Sequence, residues 1–180
     1  MRTRVLASLV LGAAILAGAA TTQQSLAQQP PAANPLDAIP DQMPFNVPYG
    51  APITAERAQA AVQAAEAEAK KRGWPMNISV VDSGGNLVAF LRMDGAQLAS
   101  IAISQHKART AVKFRRETKA LEGGVQAGFN YLITLDDVVA SRGGIPLVEG
   151  GKMIGAIGVS GGTGSQDEVI SKAGAATINK

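Results

Sequence analysis

The chain predicts an α+β domain, one antiparallel sheet with helices packed on it, and three observations carry that reading. Two pairs of short apolar runs are each joined by a glycine-bearing turn, the signature of β-hairpins, which impose antiparallel pairing. Segments of helical period stand before, between and after the hairpins. No strand follows the last helix, so no βαβ unit closes there.

Taken in order, the first element is a targeting segment. Arg2 and Arg4 precede an apolar stretch from Val5 to Ala20, and Ser25-Leu26-Ala27 offers a small-x-small cleavage site. This is the layout of a secretory signal peptide over residues 1–27, implying a periplasmic or secreted protein. The apolar run is shorter than the ~20 residues a span needs, and a polar Thr/Gln stretch follows, so no transmembrane anchor is expected after cleavage. Cleavage after Ala27 leaves 153 of the 180 residues, enough for one domain with a real core. Residues 28–51 are rich in Gln, Pro, Ala and Asn without a steady hydrophobic period, and read as a flexible or extended leader. Within it, Phe45, Val47 and Tyr49 are candidates to dock on the domain or on a partner subunit. The domain itself is expected over residues 52–180.

Its first helix starts at the capping residue Thr54, with Ala55, Ala58, Val62, Ala65 and Ala69 at helical spacing. Gly73 and Pro75 stop it. The face is mostly alanine, so whatever packs there approaches closely. Ile78 to Val81 and Leu87 to Leu91 flank the turn Asp82-Ser83-Gly84-Gly85-Asn86. A second helix is expected from about Gln97 to Phe114, burying Leu98, Ile101, Ala102, Ala108, Ala111 and Val112. Residues 115 to 135 are mixed, broken by Gly123-Gly124 and Gly128, with a short helical turn expected over Leu135 to Val139. Ile145 to Val148 then pairs with Met153 to Val159, and Pro146, lacking an N–H, belongs at an edge or a strand start. The last helix runs from about Gln166 to Ala176, where Ser165 and Glu168 have capping-box spacing.

Composition removes several functions. The sequence contains no cysteine, which excludes disulfides, thiolate zinc sites, iron–sulfur clusters and covalent Cys-x-x-Cys-His haem. The net charge is +3, and loss of Arg2 and Arg4 reduces it to +1, so the basic balance does not itself argue for nucleic acid. Lys107, Arg109, Lys113, Arg115, Arg116 and Lys119 nevertheless crowd together, opposed only by Glu117, and form a candidate anion-facing patch. Interleaved aromatics are missing, so no nucleic-acid partner is expected.

Two features carry candidate chemistry. The run Gly155-Ala156-Ile157-Gly158-Val159-Ser160-Gly161-Gly162-Thr163-Gly164 reads as a strand, a glycine turn and a helix start. Backbone N–H groups in such a place suit a carboxylate or phosphate, and a tight, well-capped junction explains the same residues. A dinucleotide site fails on spacing: Asp167 stands where the fingerprint wants glycine, and the chain ends before the expected acidic residue. The second feature is His106, the only histidine, with Thr110 one turn further along the second helix. A lone histidine cannot build a multi-histidine metal site, but it suffices as the axial ligand of a haem iron. It is therefore the one metal-ligand candidate. No Gly-x-Ser-x-Gly elbow and no clear acid–base pair are present, so no catalytic residue is assigned.

The separated motifs point further. Arg92-Met93-Asp94-Gly95-Ala96, Ser100, Lys107-Ala108-Arg109-Thr110-Ala111, Gly143-Gly144-Ile145-Pro146-Leu147, and Gly155 to Thr163 with Gln166-Asp167 closely resemble the GlcG/HbpS-like family, also found as the C-terminal part of PduO proteins. The resemblance covers roughly residues 52 to 178. It implies a five-stranded antiparallel sheet similar to profilin-like folds, homo-oligomers, and in some members haem binding with a role in haem or redox sensing. Carried onto this chain, it suggests a haem against the second helix. Lys107, Arg109 or Arg142 would meet the propionates, and His106 or Thr110 the iron. The loop Ser160, Gly161, Gly162 and Thr163 is a further binding candidate. His106 stands outside the family pattern and Thr110 within it. A sensor or transport partner is a further expectation. Rival readings are a module for an organic acid or corrinoid, and a small enzyme acting on haem.

Overall fold

The structure is a computed structural model that describes residues 38–43 and 45–179. The expected signal peptide and the first part of the leader lie outside the described residues. No helix among the described residues is long and apolar enough to cross a membrane.

Helix α1 spans Ala55–Arg72. Thr54 caps it by accepting the Arg57 N–H at 3.4 Å, and Gly73 ends it in the left-handed region, both as its sequence predicts. A hairpin of β1 (Asn77–Asp82) and β2 (Leu87–Arg92) follows. Helix α2 (Ala99–Lys113) crosses to α3 (Thr118–Gln126) and a 3-10 turn (Asn130–Thr134). The second hairpin pairs β3 (Gly144–Glu149) with β4 (Lys152–Ser160), and α4 (Gly164–Ala175) closes the fold.

The sheet is antiparallel with order β2-β1-β4-β3, so it has four strands rather than the expected five. The reason lies at the end of β4 that β1 does not reach. There the leader supplies only an isolated bridge, Tyr49 to Met153, parallel to β4. Pro48 accepts the Met153 N–H at 2.8 Å and Gly50 donates to the Met153 carbonyl at 2.8 Å, but Pro48 has no N–H to extend the ladder. The leader docks all the same. Phe45 lies under the Arg116 guanidinium, Val47 packs beside Val112 and Met153, and the Tyr49 hydroxyl donates toward the Val112 and Lys113 carbonyls, each 3.1 Å away.

Helices α1 and α4 cover one face of the sheet. Ala58, Ala61, Ala65 and Ala69 pack with Ile170 and Ala175 of α4 and with Ile78, Val80, Ile157 and Val159 of the sheet. Helix α2 covers the other face, and here the expected stripe is corrected. Leu98 is 69% exposed and Ala102 is exposed, while Ser100, Ser104, Lys107 and Thr110 are buried beside Ala108, Ala111 and Val112. The helix is rotated because β1 and β4 present hydroxyls and glycine to it. Ser104 and Ser79 hydroxyls meet at 2.8 Å, Ser160 donates to the Ser100 hydroxyl at 2.9 Å, and Gly158 lies directly beneath the α2 backbone. A polar seam with satisfied hydroxyls is stable in the interior, and hydrophobicity alone does not reveal it.

Helix α3 arises where the glycines predicted a break. Gly124 sits inside it because a Cβ there would lie 2.6 Å from Leu132 Cδ1, so the 3-10 turn packs on a bare backbone. The helical turn lies over Asn130–Thr134 instead of Leu135 to Val139. Pro146 occupies an edge strand, as its missing donor requires. At the start of α4 the cap is Thr163, not Ser165. Thr163 Oγ1 accepts the Gln166 N–H at 3.3 Å, and Gln166 Oε1 accepts the Thr163 N–H at 2.9 Å. Thr163→Ala should therefore cost ~1 kcal/mol in chemical denaturation, and Ser165→Ala close to nothing.

Candidate functional site

The residues singled out by sequence divide into two groups, one gathered around a buried carboxylate and one on the outer face of α2. The inner group is organised by Asp167, the residue that stands where a dinucleotide fingerprint wants glycine. Asp167 sits in the first turn of α4 and points inward, 2% exposed. Its Oδ1 accepts the Gly162 N–H at 3.1 Å, and its Oδ2 receives Lys107 Nζ at 2.7 Å. Lys107, also 2% exposed, donates a second hydrogen bond to the Arg142 carbonyl at 2.8 Å. The glycine loop is thus an anion cradle whose anion is the chain's own carboxylate. Gly162 serves Asp167, Thr163 serves Gln166, and Ser160 serves Ser100.

Burial raises the Asp167 carboxyl above its ordinary value, against the pull of the Lys107 ammonium and the loop amides. Arg142 is spoken for as well. Its Nε donates to Glu122 Oε1 at 2.9 Å, its backbone N–H to Glu122 Oε2 at 2.7 Å, and its Nη1 reaches Glu168 at 3.5 Å. Glu168 also holds Lys172 at 2.5 Å and Lys119 at 3.1 Å. Thr110 is buried, donating to the Asp137 carbonyl at 2.6 Å and accepting the Val139 N–H at 3.0 Å. Its hydroxyl pins the 137–139 segment across α2.

These contacts set the acid response of the fold. The Arg142 hydrogen bond holds the Glu122 carboxyl below its ordinary range, and Lys172 with Lys119 does the same for Glu168. Carboxyls depressed in the folded state add stability above their unfolded pKa and lose it as pH falls through the folded value. Asp167 carries the opposite sign: raised in the fold, its contribution is full in acid and is lost as pH rises through its folded value. Asp82, Asp137 and Glu149 are held below their ordinary values as well, so with five depressed carboxyls against one raised the melting temperature should fall between about pH 5 and about pH 3. Glu122→Gln should flatten that slope in thermal scans.

The outer group lies on the face of α2 that the rotation leaves to solvent. Leu98, Ala102, His106, Arg109 and Lys113 follow at intervals of three and four residues and so form one stripe. Leu98, Ala102, His106 and Lys113 are exposed, and Ile101 and Arg109 are half-buried beside them. The stripe is apolar at its N-terminal end, carries the imidazole in its middle, and ends in two cations. At a rise of ~1.5 Å per residue, Arg109 lies roughly 4.5 Å and Lys113 roughly 10 Å beyond His106 along the axis. Lys113 pairs with Asp137, and its hydrogen bond, aided by the charges of Arg109 and His106, keeps the Asp137 carboxyl below its ordinary value. Arg109 makes only a long contact, 3.5 Å, to Gln105. Among the described residues no three histidine, aspartate or glutamate side chains converge on a metal position.

The structure therefore brings Lys107, Arg142, Gly161 and Gly162 together around Asp167, and His106 and Arg109 together on the outer face. Sequence reasoning missed Asp167, Glu122 and Glu168 as organising residues. Lys107 and Asp167 are 60 positions apart, and nothing local joins them. Asp137 closes the basic end of the stripe by pairing with Lys113.

Known proteins resemble this architecture. The family model described as "Haem degrading protein HbpS-like" matches residues 53–176. Protein GlcG of Escherichia coli K12 is 43% identical over 108 residues, covering 60% of this chain and 81% of that protein. A crystal structure of a double mutant of Streptomyces reticuli HbpS superposes with a TM-score of 0.68 at 32% identity, covering 83% of this chain and 100% of that one. A crystal structure of a PduOC:heme complex gives a TM-score of 0.65 at 31% identity, covering 71% of this chain and 96% of that one. With the match spanning most of the domain and the fold agreeing, the chain belongs to the HbpS-like family.

Proposed function

We propose that this is an exported haem-binding protein that holds haem on the outer face of α2. The observation that carries the proposal is the polarity of that stripe. Leu98, Ile101 and Ala102 offer apolar surface, His106 an exposed imidazole, and Arg109 and Lys113 two cations in line beyond it. Haem is amphipathic in the same order, with an apolar macrocycle, a central iron and carboxylates at one edge, so the donor set fits the group. The haem complex of the similar PduOC structure supports the same ligand class. His106 would ligate the iron, which supplies electron-transfer or oxygen chemistry when bound. Arg109 would hold one propionate with a charge-assisted hydrogen bond, and Lys113, whose pair with Asp137 is exposed, would exchange that partner for the other propionate. Lys107, Thr110, Arg142 and the Ser160 to Thr163 loop would act through the fold, since their polar groups are taken up by partners within the chain. An open helix face leaves one side of the macrocycle wet, so a homo-oligomer that brings a second surface over it is part of the proposal. Periplasmic or secreted placement rests on the signal-peptide reading, and a sensor or transport partner would be met there.

Haemin titration tests this reading. The protein should give a saturable Soret shift near one haem per chain. His106→Ala should abolish or strongly alter the band, and Thr110→Ala should keep its position. An unchanged band in His106→Ala would remove the ligand assignment. The family description favours haem breakdown as a second reading. Loss of the Soret band under a reductant and dioxygen, with an open-chain tetrapyrrole as product, would establish it.

A further inference from the structure

The two edges of the sheet are treated differently. The β3 edge is closed by the chain itself: Pro146 has no donor, Asn179 Oδ1 accepts the Val148 N–H at 2.8 Å, and Asn179 Nδ2 donates to the Pro146 carbonyl at 2.9 Å. The β2 edge has no such cover. No strand lies beyond it among the described residues, and Leu87 to Leu91 hold no charge and no proline. Leu87 and Phe90 are 45% and 38% exposed. An open groove of about 420 Å³ runs beside it, floored by Val62, Val88 and Leu91. An apolar strand with a free edge is a ready template for another strand.

The register shows which backbone groups are free. Met93 donates to the Met76 carbonyl, and Arg92, Leu91 and Phe90 oppose Asn77, Ile78 and Ser79. In an antiparallel ladder bonded pairs alternate, so Leu91 and Met93 spend their groups on β1 while Phe90 and Arg92 point theirs outward. The strand is irregular at Val88, which restricts further pairing to the segment after it.

We propose that β2 pairs antiparallel with β2 of a second copy, about a two-fold axis at Leu91, joining two four-stranded sheets into one. This register pairs the outward groups of Phe90 with those of the partner's Arg92, and the reverse. It sets each phenyl ring against a guanidinium, an attractive cation–π pair. Leu91 then meets the partner's Leu91 on the grooved side, and the patch is self-complementary, as a two-fold interface requires.

The cysteine-free chain makes the test direct. In an antiparallel ladder the Leu91 positions would form a non-bonded pair with Cα atoms ~4.5 Å apart, within disulfide range. Leu91→Cys should cross-link to dimer under mild oxidation without haemin. Leu87→Cys should not, because its counterpart would lie roughly 26 Å away. In sedimentation, Phe90→Lys should weaken the dimer at least tenfold by facing the partner's Arg92. Phe90→Lys with Arg92→Glu should restore it by swapping the charges. A monomer at all concentrations, an assembly that Leu91→Cys fails to cross-link, or an edge that captures an extended peptide but never its own copy would each overturn the proposal.

Discussion

Lys107→Ala is expected to lower stability by ~3–5 kcal/mol in urea denaturation, because it leaves a buried carboxylate with no counter-ion. Lys107 and Asp167 are 2% and 3% exposed at their side chains, with their charges 2.7 Å apart. Taking both ions out of water is costly, and their attraction with two further hydrogen bonds offsets the cost: Lys107 to the Arg142 carbonyl, and Gly162 to Asp167. Removing the ammonium keeps the cost and deletes the main compensation. Asp167→Ala should be comparably harmful, since it strands the ammonium and also frees the loop amides. The double change Lys107→Met with Asp167→Leu should recover much of the loss, because a buried pair is often replaceable by apolar side chains of similar volume. A double variant as unstable as the sum of the singles would show that the two residues do not act as a pair.

Gly158→Val should prevent folding to a soluble product, or cost more than ~3 kcal/mol if the chain still folds. A Cβ at position 158 would overlap the Ser104 carbonyl oxygen and lie 2.5 Å from the Ala108 nitrogen. Both are backbone atoms of α2, so no rotamer change relieves the clash and the whole helix must lift from β4. Lifting it breaks the Ser79–Ser104 and Ser100–Ser160 hydroxyl pairs and pulls on Lys107. Solubility and circular dichroism of Gly158→Val beside Gly123→Ala make the comparison, since position 123 meets nothing within 4 Å.

Both predictions rest on features that differ in how far the sequence reveals them. The hairpins, the Thr54 and Gly73 ends of α1 and the edge position of Pro146 were legible because each depends on local chemistry. The cap of α4 was misplaced by two residues because Thr163 and Ser165 both precede an acid or amide three positions on, and only the geometry selects Thr163 with Gln166. The buried face of α2 was misread because hydrophobic periodicity does not see a seam of hydroxyls that satisfy one another. Leu98 and Ala102 looked like core and are surface. That same error hid the apolar end of the candidate site, which the residues displaced from the core form. The glycine loop admits both an anion cradle and a capped junction in sequence, and the structure makes it a capped junction that serves the chain's own carboxylate. The role of Asp167 depends on a lysine brought from α2 by the tertiary fold.

The most direct test of the haem reading is a footprint of the bound ligand at single-residue resolution. Titration of the isotopically labelled protein with gallium protoporphyrin, a diamagnetic stand-in for haem, would be followed by amide chemical shifts. The account predicts the largest changes along the outer face of α2, at Leu98, Ala102, His106 and Arg109, with those at Ser160 to Thr163 small. Changes centred on the Ser160 to Thr163 loop, with the α2 face undisturbed, would contradict it.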